Sequence, residues 1–142
     1  MLATLPRMVD ADTVSTILAA PVAVACGFPS PAQDYYEGPI DLTAMLVDDQ
    51  AATFIVRASG HSMTGAGISD GDELLVDRSK HARHGDIIVA VLDGELTVKR
   101  LEQTPTGVIL RSENAQHPDI VVPELSDLQV WGVATYVIHH LR

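Results

Sequence analysis

The sequence is poor in aromatic residues, in cysteine and in long apolar runs. Aromatic residues make up 4% of the 142 residues, so Val, Ile, Leu and Ala have to build the core. Cys26 is the single cysteine, which excludes an internal disulfide and fits a reducing cytoplasm. No run of 18 or more apolar residues occurs, so we expect no membrane span. The apolar stretch 16–25 resembles a signal peptide only superficially, because Asp10 and Asp12 follow Arg7.

Basic residues are also scarce. The chain has 9 Lys and Arg against 19 Asp and Glu, a formal net charge of −10. Affinity for nucleic acid depends on Lys and Arg neutralising phosphates, so we expect no direct sequence-specific DNA binding. We also expect no metal or other cofactor. His81, His84 and Asp86 lie close together in the sequence, but the further ligands that a structural zinc site needs are missing.

The first 40 residues are rich in proline. Five of the eight prolines lie there, and proline interrupts both helices and central strands. We therefore predict an extended N-terminal arm over residues 1–40, in which Ile17 and Leu18 belong either to a short helix or to a strap on a surface. A short helix follows over residues 41–47, because Asp41 can cap it and apolar residues recur at helical spacing.

Residues 41–142 form the predicted folded domain, which is mostly β. Short β-branched and apolar runs alternate with turns, a pattern typical of antiparallel sheets. Asp93-Gly94 is a strong hairpin signal, since both central positions of a type I′ turn need a positive φ. The predicted strands cover residues 53–57, 73–77, 86–92, 95–101, 107–111, 120–122 and 128–138.

Lys99 lies in the predicted strand 95–101, both faces of which are largely apolar. Such a pattern suggests that the side chain is partly buried, and burial favours the neutral form of a lysine amine. A neutral lysine can take the proton of a serine hydroxyl. The ordinary alternative is an edge-strand lysine that extends its amine into solvent and blocks aggregation.

Ser62 follows the predicted strand 53–57 in the run 58–63. A serine hydroxyl is a poor nucleophile until a base removes its proton, and most serines after a glycine are turn residues. His61 is adjacent, but neighbours on a strand point to opposite faces. The run 60–64 also lacks the last glycine of a nucleophile elbow.

The bond between Cys26 and Gly27 is a candidate substrate. Small residues precede it, and Pro21 and Pro29 flank it. Proteases bind extended segments, and Gly27 allows the backbone to bend at the bond. An ordinary flexible linker is the alternative.

Five short motifs occur in a characteristic order and spacing. They are VACGFPSP at 24–31, SGHSM at 59–63, GISDGD at 67–72, HGD at 84–86 and GELTVKRL at 94–101. Together these motifs resemble the self-cleaving LexA/UmuD family, from about Cys26 to the end of the chain. The resemblance implies a dyad of Ser62 as nucleophile and Lys99 as general base, with Cys26-Gly27 as the bond that is cleaved. It further implies an oxyanion hole from the backbone N–H groups of His61 and Ser62, with Met63 lining the cleft.

The resemblance also implies a fold and a biological role. The fold is a small, strongly bent β domain of the LexA C-terminal type, which forms a homodimer. The short-arm form fits best, because the 26 residues before the bond are neither basic nor patterned as a helix-turn-helix. In this form a RecA filament on single-stranded DNA stimulates self-cleavage in the SOS response. The trimmed homodimer then joins a UmuC-like Y-family polymerase subunit in translesion synthesis. The alternatives are a self-cleaving transcriptional regulator or corepressor of the LexA type, and a binding module whose dyad is vestigial.

Overall fold

The computed structural model describes residues 2–3, 7–8, 16–19, 26–27, 38–123 and 127–142. The chain divides into two compact units. The larger unit contains Met1–Val9 and Asp49–Arg142, and the smaller unit contains Asp10–Asp48. Two short strands of the larger unit, β1 (Leu2–Ala3) and β2 (Arg7–Met8), therefore come from the start of the chain.

The smaller unit holds a two-stranded antiparallel sheet and one helix. Strand β3 (Thr16–Ala19) pairs with β4 (Gly38–Asp41), and helix α1 (Leu42–Leu46) follows directly. The Asp41 carboxylate accepts hydrogen bonds from the N–H groups of Thr43 at 3.0 Å and Ala44 at 3.3 Å, which confirms the predicted capped helix. Ile17 and Leu18 lie in β3, so they belong to a strand and the helical alternative for them is wrong.

The remaining strands all belong to the larger unit and agree closely with the sequence pattern. Two short 3₁₀ helices, Gln50–Ala52 and Thr64–Ala66, flank the first of them. The strands are β5 (Thr53–Ser59), β6 (Glu73–Asp77), β7 (Ile87–Leu92), β8 (Glu95–Thr104), β9 (Gly107–Arg111), β10 (Ile120–Val122) and β11 (Leu128–Ile138).

One antiparallel sheet connects these strands in the order β5-β6-β11-β7-β8-β9-β10. Strand β1 pairs with both β5 and β8, so β1, β5, β6, β11, β7 and β8 form a closed ring. The pairing of β11 shifts register between Val130 and Gly132 and again between Ala134 and Tyr136. Such bulges bend a strand and increase its twist. The mostly β, bent antiparallel fold is thus confirmed.

The core consists of aliphatic and methionine side chains, as the low aromatic content predicts. Strand β7 shows how both faces of the sheet are covered: Val89 packs into one cluster, while Ile88 and Ala90 pack into the other. The first cluster contains Val56, Ala58, Met63, Ile68, Leu74, Val76, Val89 and Val98. The second contains Ile88, Ala90, Leu101, Leu110 and Val133.

The β7–β8 hairpin sets the position of Lys99. Asp93 and Gly94 have φ values of 50° and 83°, which confirms the predicted tight turn. From this turn the register runs without a shift and pairs Lys99 with Ile88, which is fully buried. The hairpin therefore carries the lysine into the middle of a covered sheet.

Candidate active site

Lys99 is a buried residue, with 5% of its surface exposed. Strand β8 has β7 on one side and both β9 and β1 on the other, so it is not an edge strand. Its neighbour Val98 is fully buried, and Leu101 is 3% exposed. Lys99 is therefore not an edge-strand lysine whose amine extends into solvent.

Ser62 lies in the loop that follows β5, and turn residues hold the start of this loop. The carboxylate of Asp70 accepts a hydrogen bond from the Gly60 N–H at 2.8 Å. The carbonyl of Asp72 accepts one from the Ala58 N–H, also at 2.8 Å. Ser62 itself is 2% exposed. The loop thus fixes a buried hydroxyl at the end of a core strand.

The two side chains meet. The Lys99 Nζ donates a hydrogen bond to the Ser62 Oγ over 2.9 Å, across 37 residues of sequence. His61, the neighbour in sequence, is exposed. The distance is the one that a general base needs to remove a proton from a nucleophile, and the scarcity of water around both groups strengthens their interaction.

A second segment, after β9, supports the serine loop. The Glu113 N–H donates to the Ser62 carbonyl at 2.7 Å, and the Gly65 N–H donates to the Glu113 carbonyl at 2.7 Å. The Asn114 Nδ2 donates to the His61 carbonyl at 2.8 Å. The loop is therefore held from both ends, first by the turn at residues 69–72 and then by residues 113–114.

The lysine strand is tied to the same segment. Arg100, next to Lys99 on β8, forms an ion pair with Glu113 and donates to the Gly85 carbonyl at 2.6 Å. The loop that carries Ser62 and the strand that carries Lys99 thus both contact this segment through Glu113. No sequence pattern indicates this role for Arg100, Glu113 or Asn114, because their partners lie far away in the chain and no local spacing relates them.

Asp72 anchors the turn at residues 69–72. Its side chain, 4% exposed, accepts from the Ser69 N–H at 2.8 Å and lies 2.6 Å from the Nδ1 of His139. Burial raises the pKa of Asp72. The hydrogen bond from Ser69 and the interactions with His139 and His140 lower this pKa by more than burial raises it. The net result is a pKa below the ordinary value of 3.8.

The remaining predicted site residues are placed as follows. Cys26 and Gly27 are exposed and belong to the smaller unit, while the rest of the motif 24–31 lies outside the described residues. Met63 is fully buried in the first core cluster. The roles of the His61 and Ser62 N–H groups as oxyanion donors, and of Met63 in the cleft, stay predictions.

Neither a metal site nor a membrane helix is found in the described part of the chain. Across residues 38–123, 127–142 and the short described segments before them, no three His, Cys, Asp or Glu side chains are grouped as metal ligands would be. In the same residues, no helix has the length and apolar character needed to cross a membrane.

Comparison with known proteins gives consistent results. A sequence model described as Peptidase S24-like matches residues 17–135. The protein ImpA of Salmonella typhimurium is 46% identical over 116 residues, which cover 82% of this chain and 79% of ImpA. MucA of Escherichia coli is 39% identical over 118 residues, covering 82% and 81%. The LexA repressor of Pasteurella multocida is 36% identical over 119 residues, covering 82% of this chain and 56% of the repressor.

Proposed function

Because the chain belongs to the Peptidase S24-like family and is a UmuD-like member of the LexA/UmuD group of self-cleaving serine peptidases, we propose that it cleaves its own Cys26-Gly27 bond. Ser62 is the nucleophile and Lys99 is the general base. The observation that carries this proposal is the distance of 2.9 Å between the Lys99 Nζ and the Ser62 Oγ. Both side chains are buried, so the pair is withdrawn from solvent.

The reaction has two halves. The neutral Lys99 amine takes the Ser62 proton while Oγ attacks the Cys26 carbonyl carbon, and the oxyanion is stabilised by the backbone N–H groups of His61 and Ser62. The tetrahedral intermediate collapses, and the protonated amine of Lys99 gives its proton to the departing Gly27 nitrogen. Water, deprotonated by Lys99, then releases Cys26 as a new carboxylate and restores Ser62.

The cellular role follows from the LexA/UmuD resemblance. We propose a cytoplasmic accessory subunit of the SOS response, whose cleavage is stimulated by a RecA filament on single-stranded DNA. The trimmed homodimer then serves a UmuC-like Y-family translesion polymerase. The chain is 46% identical to ImpA and 36% identical to the LexA repressor, so it resembles the named repressor less than it resembles ImpA. The net charge of −10 disfavours DNA binding and so supports an accessory subunit over a repressor.

An intramolecular substrate has a high effective concentration, so geometry has to hold the rate down. A low fraction of chains with the scissile segment docked at the dyad serves this purpose. Binding to the RecA filament would then shift the population toward a docked arm.

A second candidate function is a self-cleaving transcriptional regulator or corepressor of the LexA type. The identity of 36% to the LexA repressor of Pasteurella multocida favours it. It uses the same dyad, so only DNA binding by the intact chain separates the two candidates.

Cleavage of purified variants tests the dyad. The intact chain is incubated at alkaline pH and, separately, with RecA, nucleotide and single-stranded DNA, and products are identified by mass. Ser62→Ala should leave the chain intact, because it removes the nucleophile, and Lys99→Ala should lower the rate by roughly 10²-fold to 10⁴-fold, the usual contribution of a general base. The chain has two lysines, so Lys80→Ala is a matched control that should cleave like the wild type.

Two further measurements sharpen this test. Lys99→Arg keeps the positive charge but cannot supply a neutral base, so it should be as inactive as Lys99→Ala. The wild-type rate should rise with pH, because the neutral fraction of an amine rises with pH. Cleavage at Gly27 by Lys99→Arg, or a rate that does not change with pH, would show that Lys99 is not the base.

A further inference from the structure

Strand β1 occupies a position in the sheet that a substrate would need. Leu2 pairs with Ser59 of β5 on one side and with Thr97 of β8 on the other, and Ala3 pairs with Ala58. β1 is thus the strand through which the ring of the larger unit closes. Without it, β5 and β8 would face each other across a gap one strand wide, because neighbouring strands lie about 4.8 Å apart.

The strands that border this gap also carry or precede the two residues of the dyad. Ser59 precedes Ser62 by three residues on one side, and Thr97 precedes Lys99 by two residues on the other. The strands that border the gap are therefore the same two that position the nucleophile and the base, which touch at 2.9 Å. An extended peptide that reaches the dyad in this fold would be expected to enter by pairing with these strand edges.

We propose that the gap between β5 and β8 is the binding site for the substrate strand, and that β1 competes for it with the segment around Cys26-Gly27. This inference rests on the proposed self-cleavage. Each backbone N–H and C=O of a strand edge serves one neighbour, so β5 and β8 cannot hold both strands at this level. While β1 is paired, the dyad lacks its substrate and the chain stays intact.

The properties of β1 suit a competitor that can leave. It has two residues, so its pairing depends on few hydrogen bonds. Its partner on β5 at this level, Ala58, is small and fully buried. A substrate strand that replaces β1 there is best accommodated with small residues, and Ala25 and Cys26 before the bond to be cut are small.

A proline substitution in the full-length chain tests the competition. Ala3→Pro removes a backbone donor that a strand paired on both sides needs. It should raise the rate of self-cleavage at least about threefold, because the rate follows the fraction of chains with an open gap. Met8→Pro is the matched control. Met8 pairs with Phe54, at the other end of β5, so this variant should cleave at the wild-type rate.

Binding of a peptide separates this inference from the proposed function. A labelled peptide with residues 20–32 is added to Ser62→Ala and to the Ala3→Pro, Ser62→Ala double variant, and the double variant should bind at least about threefold more tightly. Equal affinities and equal cleavage rates would overturn the competition while cleavage itself stands. Slower cleavage by a folded Ala3→Pro chain would overturn it too, because β1 would then be part of the cleft. If neither the wild type nor any variant is cleaved, the proposed function fails. Equal peptide affinities would in that case reject the inference as well.

Discussion

Lys99 and Ser62 place an amine and a hydroxyl where the fold otherwise buries aliphatic groups. Burying an ammonium is strongly unfavourable unless it is paired, and two apolar residues of similar volume often serve stability as well or better. The pair is hydrogen-bonded, and no buried side-chain N or O atom in the described residues lacks a partner. A role in a reaction therefore explains this buried pair better than a contribution to the stability of the fold does.

Asp72 leads to a prediction about acid stability. Its pKa is lowered in the folded chain, so its carboxylate stabilises the fold at pH values above its ordinary pKa of 3.8. This contribution is lost as the pH falls through the lower, folded-state value. Asp72→Asn should therefore have a flatter dependence of the free energy of unfolding on pH, between about pH 2 and pH 5 in denaturant titrations.

Asp93→Asn is the control for this acid dependence. It removes the same charge from an exposed turn, where Asn is as well suited as Asp, and it leaves Asp72 in place. We expect the wild-type acid dependence from it. Equal slopes for Asp72→Asn and the wild type would show that the contacts of Asp72 with Ser69 and His139 do not couple to stability.

The sequence predicts single residues unequally. Lys99 stands out because a charge interrupts apolar residues on both faces of its strand. Ser62 does not stand out, and only the order of several motifs relates it to Lys99. The contact of Asp72 with His139 spans 67 residues and that of Asn114 with His61 spans 53, so no local pattern contains them.

Elements are predicted well where the signal is local. Glu73–Asp77 and Leu128–Ile138 have the predicted bounds, because β-branched runs and turn residues mark their ends. Strand β8 extends three residues beyond its predicted end, to Thr104, since pairing with β9 continues it there. The insertion of β11 between β6 and β7, and of β1 between β5 and β8, depends on pairing across the whole chain.

The loop that carries Ser62 allows a test at the scale of elements. A Cβ at Gly65 would lie 2.5 Å from the backbone oxygen of Glu113, so Gly65→Ala forces one of the two backbones to move. Glu113 also hydrogen-bonds the Ser62 carbonyl. Since an error of 1 Å in a reacting group can slow catalysis about 10²-fold, self-cleavage should fall roughly 10-fold to 10²-fold.

Gly107→Ala controls for lost stability in this test. Gly107 has a φ of 150° and open space around its Cβ position, so alanine there costs about 1 kcal/mol of strain or more, at the β8–β9 turn. Self-cleavage and the free energy of unfolding are measured for both variants. If Gly107→Ala slows cleavage as much as Gly65→Ala at equal stability loss, support of the loop by Glu113 is not what the reaction requires.

At the scale of the whole molecule, the proposed nucleophile, base and substrate belong to one chain. The bond lies in the smaller unit and the dyad in the larger one. Under this proposal each chain is cut once, so the product is the altered protein itself. Regulation of such a reaction would act on access to the dyad, and the proposed competition uses the pairing of β1 with β5 and β8 for this purpose.

The charge of the whole chain separates the two candidate functions. With 9 basic against 19 acidic residues, the intact chain should repel the phosphates of a DNA duplex. We expect a dissociation constant weaker than about 10⁻⁴ M at physiological salt, beyond the usual range of non-specific binding. Fluorescence anisotropy with labelled random duplexes, repeated at several salt concentrations, measures it.

The variant for this measurement is Ser62→Ala, because it keeps the arm attached throughout. A negative result then reflects the intact chain and not a trimmed product. Binding tighter than about 10⁻⁶ M that weakens steeply with salt would reveal a basic surface that the net charge conceals, and would favour the regulator over the polymerase subunit. Weak binding by the intact chain would favour the polymerase accessory subunit, because a transcriptional regulator has to bind DNA before cleavage can release it.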